Sequence, residues 1–173
     1  MSDNDCSMDG IRAELDFIPR ILDAQVPFLG LCLGGQMLAR VLGAKIWTHE
    51  IGHIASGSTR ISPTKAGRDW FDDCDIFYQW HREGFDAPET ATLLATGDIF
   101  PNQAFVYGDN AIATQFHPEN TRDMIDRWTM HGAHCLGQPG AQPRQAQIKG
   151  WELFNQRVDH WGRNLLDRFG LNG

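Results

Sequence analysis

An α/β fold is what three features of this 173-residue sequence predict. A short apolar run, 26–31, passes straight into a helix-patterned segment, 34–42. The middle third, 44–116, carries a succession of short strand patterns, and the chain past Thr121 is patterned for helices. A mostly parallel central sheet flanked by helices, with a strand-rich insertion, is the expected architecture. The length suits one domain, 1–173, with its distinctive segments in 16–120 and a helical C-terminal part, 121–173.

The elements follow in chain order. Asp16 to Ala24 suits a short helix, where Pro19 fits only if it stands near the first turn. Val26-Pro27-Phe28-Leu29-Gly30-Leu31 is almost wholly apolar, as strands buried on both faces are. In Gly34 to Leu42, Met37, Leu38, Val41 and Leu42 share one helical face, and Gly43 is a natural stop. Strands are expected at Lys45–Trp47, Ile76–Trp80, Thr92–Thr96, Ala104–Tyr107 and Ala111–Phe116. Gly108-Asp109-Asn110 makes a hairpin connection between the last two. Cys135 to Arg144, with two prolines and two glycines, reads as a surface loop. Beyond it Ile148, Trp151, Phe154, Val158, Trp161, Leu165 and Phe169 recur three and four apart, the packing stripe of a long helix.

Composition excludes several classes. Fifteen Lys+Arg against 22 Asp+Glu give a net charge of −7, the wrong sign for a phosphate-backbone binder, so no nucleic-acid partner is expected. The most apolar window, 26–46, holds Arg40, Lys45 and four glycines, unlike a membrane span. The acidic N-terminus lacks the basic and apolar regions of a secretory signal. Cys6, Cys32, Cys74 and Cys135 form no Cys-x-x-Cys pair, which suits a reduced, cytoplasmic protein. His131, His134 and Cys135 have no second ligand group placed beside them. Neither a metal nor a cofactor is expected, and no Gly-x-x-x-x-Gly-Lys-[ST] loop is present.

The chemistry concentrates at two places. Gly30-Leu31-Cys32-Leu33-Gly34, between a strand and a helix, has the form of a nucleophile elbow with cysteine at its centre. The sharp reversal strains the central residue, and side chains two positions to either side are expected to clash. The helix N-terminus favours thiolate over thiol, and the Leu33 N–H can meet an oxyanion. A thiol nucleophile needs a base, and the base an orienting group. His117 in Gln115-Phe116-His117-Pro118-Glu119 meets that need. Residues i and i+2 of extended chain face one way, so Glu119 can fix the His117 tautomer. Pro118 keeps His117 extended.

These segments resemble the class I glutamine amidotransferases, especially stand-alone members similar to the amidotransferase domain of GMP synthase. The likeness is carried by Val26-Pro27-Phe28-Leu29-Gly30-Leu31-Cys32-Leu33-Gly34-Gly35-Gln36, His49-Glu50-Ile51-Gly52, Gln79-Trp80-His81, Gln103-Ala104-Phe105 and Gln115-Phe116-His117-Pro118-Glu119, in family order. It implies a Cys32–His117–Glu119 triad, a γ-glutamyl thioester on Cys32 and release of ammonia. It also implies substrate contact by Gln36, while Trp80 and His81 are expected either in a pocket wall or in the core. Arg82-Glu83 stand where the family has Gly-Asp, and Glu83 is the residue expected to meet a substrate ammonium. Met1-Ser2 resembles the residues just after the family's Gly-Gly-Pro loop, so the first strands of the domain are expected to be missing. The partners implied are glutamine or another γ-glutamyl compound and a synthetase subunit on another chain. A stand-alone γ-glutamyl peptide hydrolase and a truncated non-catalytic domain are the alternatives.

Overall fold

The computed structural model describes residues 7–170. The reading of Met1-Ser2 therefore lies outside the described residues. In chain order the elements are α1 (Asp9–Asp23), β1 (Phe28–Leu31), α2 (Leu33–Val41), β2 (Ile46–Thr48), β3 (Ala55–Arg60), β4 (Ser62–Pro63), α3 (Arg68–Phe71), β5 (Ile76–His81), β6 (Glu83–Phe85), β7 (Thr92–Thr96), β8 (Asn102–Tyr107), β9 (Ala111–Thr114), α4 (Arg122–His131) and α5 (Arg144–Arg168). The expected α/β class holds.

Five strands form the main sheet, in the order β1-β9-β8-β7-β4. β1 runs parallel to β9, in a register that sets Leu31 beside Thr114. The remaining pairs, β8 with β9, β7 with β8 and β4 with β7, are antiparallel. The parallel character expected of the sheet thus rests on β1 and β9 alone among the described residues. The tight turn at Gly108, which takes φ +58°, can only return β9 antiparallel to β8. Two antiparallel ribbons, β2 with β6 and β3 with β5, make up the strand-rich remainder.

Alternation along the strands feeds two cores. Ala111 and Ala113 of β9 and Phe105 of β8 pack with Ile11 and Ile18 of α1 and Met37, Leu38 and Ala39 of α2. Ile112 and Ala104 pack the other way, into a cluster of Phe71, Phe77, Phe116 and the α5 residues Val158, Trp161 and Leu165. The long C-terminal stripe is therefore packing surface, as its period predicts.

Several elements depart from the sequence reading. Helix α1 starts at Asp9, seven residues earlier than expected, so Pro19 sits in its interior rather than near its first turn. Burial of Ile11 and Ile18 against α2 holds the helix through the proline. Strands β3, β4 and β6 carry no apolar alternation and were not expected. Among the described residues no helix is long and apolar enough to cross a membrane.

Candidate active site

Because β1 and β9 are parallel neighbours, the segments leaving their C-terminal ends emerge side by side. Cys32 follows β1, and Gln115 to Glu119 follow β9. The Cys32 backbone N–H donates to the Thr114 carbonyl at 2.8 Å, which ties the two segments together. Cys32 itself has φ 46° and ψ −99° and precedes the first turn of α2. A positive φ is costly for a side-chain-bearing residue, by about 1–3 kcal/mol, and persists only where the surroundings impose it.

The surroundings that impose it are glycine contacts, though not quite the expected pair. A Cβ on Gly30 would lie 2.7 Å from the Gly34 carbonyl oxygen, as the elbow requires. Gly34 has open space where its Cβ would be, so the expected clash there is absent. Gly35 is the second tight position: its Cβ would meet the Thr114 carbonyl at 2.7 Å. The close approach is between α2 and β9, which a reading of the turn alone does not reveal.

His117 is held on three sides. Its backbone N–H donates to the Tyr78 carbonyl at 2.8 Å. Its Nδ1 lies 2.8 Å from Glu119 Oε1, which places the proton on Nδ1 when the ring is neutral. Its ring meets Trp128 of α4 edge-on, with centroids 4.9 Å apart. Nε2 is buried and has no hydrogen-bond partner of good geometry. Burial opposes the charged ring, but the nearby Cys32 sulfur and the Glu119 carboxylate outweigh it and raise His117 to about 10.

A buried polar layer lies behind these groups. Gln115 is fully buried, and its Nε2 lies 3.7 Å from Cys32 Sγ. Gln36, also buried, donates from Nε2 to the Glu83 carbonyl at 2.9 Å and lies 3.4 Å from Gln115 Oε1. His81 has Nδ1 2.8 Å from the Glu83 carbonyl and Nε2 2.9 Å from Gln79 Oε1. Gln79 continues to Gln103 at 2.7 Å. Burial first, and then the charge of His117, pull His81 down to about 3 against the help of the Glu83 carbonyl. Trp80 is half-buried against Trp128, with ring centroids 6.1 Å apart, and closes on Gly132.

Cys32, His117 and Glu119 thus come together, and Gln36 and His81 stand immediately behind them with their nitrogens engaged inside the protein. Of the Arg82-Glu83 pair, Arg82 is exposed while Glu83 is buried in β6. His49 and His53 are half-buried, with their rings tilted against each other and centroids 4.8 Å apart. Among the described residues no group of three or more His, Cys, Asp or Glu is arranged to hold a metal ion. Gln115 and Trp128 had been given no role in the site from sequence. For Gln115 the signal was present, since it lies two residues before His117 just as Glu119 lies two after. For Trp128 there was none, because its position depends on how α4 docks.

The model of the glutamine amidotransferase class-I family matches residues 5–127. The chain belongs to that family. This amidotransferase chain is similar to gamma-glutamyl peptidase 4 of Arabidopsis thaliana, 27% identical over 92% of this chain and 67% of that protein. It is also similar to the glutamine-hydrolyzing GMP synthase of Streptomyces avermitilis, 29% identical over 66% of this chain and 21% of that protein. A solved glutamine amidotransferase from Thermotoga maritima superposes with TM-score 0.86 at 28% identity, covering all of this chain and 75% of that one.

Proposed function

We propose that this chain hydrolyses the γ-glutamyl amide of glutamine through a thioester on Cys32, releasing ammonia for a synthetase on another chain. The observation that carries the reading is the convergence at the ends of β1 and β9. A strained cysteine at a helix N-terminus stands beside a histidine raised to about 10, whose other nitrogen is engaged by Glu119.

In this reading the Cys32 sulfur attacks the amide carbonyl carbon while His117 carries the proton. Negative charge develops on the carbonyl oxygen, and the Leu33 N–H, free of intrahelical acceptors in the first turn of α2, stabilises it. His117 passes its Nε2 proton to the departing nitrogen, the C–N bond breaks and ammonia leaves. Neutral His117 then takes a proton from water, the hydroxide attacks the thioester carbonyl, and the C–S bond breaks to give glutamate and the thiolate. Glu119 keeps the Nδ1 proton in place throughout and stabilises the imidazolium.

A second reading, hydrolysis of a γ-glutamyl peptide, has its support in the likeness to gamma-glutamyl peptidase 4 over most of the chain. It uses the same groups with a longer leaving amine, and wall residues such as Trp80 are where the two donors would be told apart. Incubation with a glutamine-analogue electrophile, followed by intact mass and peptide mapping, tests both. One adduct on Cys32, lost in Cys32→Ser, is expected. A folded sample that takes no adduct, or takes it on Cys74 or Cys135, leaves a non-catalytic domain. Ammonia release from glutamine compared with amine release from γ-glutamyl dipeptides then separates the donors.

A further inference from the structure

We propose that Gln115 is the hydrogen-bond donor that holds the Cys32 sulfur as a thiolate, with the direction of its amide set by Gln36. The inference rests on Cys32 being the nucleophile. Extended backbone after β9 sends Phe116 into the aromatic core and turns Gln115 to the side of His117. The Gln115 backbone N–H donates to the Gln103 carbonyl at 2.8 Å, which fixes where its side chain begins.

A glutamine amide beside sulfur could present either its oxygen or its nitrogen, and the neighbours decide which. The Glu83 carbonyl can only accept, so the end of Gln36 that lies 2.9 Å from it is the NH₂ group. The same NH₂ group lies 3.4 Å from the Gln115 amide and must meet its oxygen. The Gln115 nitrogen is left pointing at Sγ, 3.7 Å away. Turning the Gln115 amide over would set two NH₂ groups against each other and oxygen lone pairs against sulfur. Both contacts would be repulsive in a site where Gln115 and Gln36 are almost wholly shielded from water. Nδ1 of His81 reaches the same Glu83 carbonyl at 2.8 Å, so the anchor of the chain is itself held.

A donor of this kind favours the anion over the thiol, and over the thioester, whose sulfur is a poor acceptor. Gln115 therefore acts at two points. It raises the fraction of thiolate before attack, and it favours departure of the thiolate when the thioester is hydrolysed.

The test is the rate of Cys32 alkylation by iodoacetamide as a function of pH, in wild type, Gln115→Leu, Gln115→Glu and Gln36→Leu. The midpoint is expected to rise by about one unit in Gln115→Leu, a tenfold change in the ionisation equilibrium. It should rise further in Gln115→Glu, where a carboxylate faces the sulfur, and less in Gln36→Leu, where only the orienting group is lost. An unchanged midpoint in Gln115→Leu overturns the proposal, since a purely structural role alters stability without moving this profile. If that variant does not fold, the side-chain amide resonances of Gln115 in ¹⁵N-labelled wild type give the answer. They should move with the alkylation midpoint, and a flat titration overturns the proposal. A wild type in which Cys32 is not alkylated at all sinks the nucleophile assignment instead, which keeps the two failures distinct.

Discussion

Within three consecutive residues the chain serves two regions built on opposite principles. Phe116 stacks on Phe77 at 4.0 Å and meets Trp161 edge-on in a core sealed by α5. Gln115 and His117, on either side of it, belong to a layer of glutamines, histidines and carbonyls behind Cys32. Attraction in the first region is non-directional and scales with area, so many apolar side chains could serve there. In the second, every contact has a donor and an acceptor, and one wrong amide reverses the polarity of its neighbour. Stability is therefore concentrated in one region and chemistry in the other.

The sharpest way to break this contrast is at Cys32. Cys32→Gly should remove ammonia release, by about 10⁴-fold or more as for other covalent nucleophiles. It should also make the protein more stable by about 1 kcal/mol, because glycine accepts φ 46° without strain. An ammonia assay with urea unfolding checks both, and a glycine variant less stable than wild type would mean that the strain is not there. In the aromatic region the expectation is reversed. Phe77→Ala should cost about 3–5 kcal/mol in urea unfolding, while the alkylation midpoint of Cys32 in the folded fraction stays put. A shifted midpoint would show the two regions to be coupled.

Smaller effects sharpen the comparison within the polar layer. Removing either group that raises His117, by Cys32→Ser or Glu119→Gln, should lower its titration from about 10 by one unit or more, read from imidazole resonances. A separate check is the dependence of stability on pH. His117 titrates higher in the folded protein than its ordinary 6.5, so its contribution is complete below that value and is lost as pH rises through about 10. His81 titrates lower when folded, so its contribution is complete above 6.5 and is lost as pH falls toward 3. Together they place a stability maximum near pH 6.5, and His81→Gln should flatten its acid side in urea titrations.

What could be read from the sequence divides along the same line. The β1–α2 elbow, the Gly108 hairpin and the α5 stripe announce themselves, because each is a local pattern of apolar spacing and glycine. Strand β3, Ala-Ser-Gly-Ser-Thr-Arg, has no such pattern. It is held by its partner β5 and by the buried Gln147, which reaches Ser56 at 3.0 Å across 91 residues. The Gly35 contact with Thr114 and the chain from Glu83 through Gln36 to Gln115 are invisible for the same reason, being made between distant segments. His117 and Glu119 were legible because two-residue alternation in an extended segment is a local rule. Applied one step back, it would have found Gln115.

The parallel pairing of β1 with β9 has a consequence for the newly made chain. Cys32 and His117 stand 85 residues apart in sequence, and they meet only when β9 has docked beside β1. Such distant closures come late in folding, after the local hairpins and helices. Until then Cys32 has neither His117 nor Gln115 beside it. On the proposed reading, a sulfur placed for attack is therefore assembled only with the completed fold.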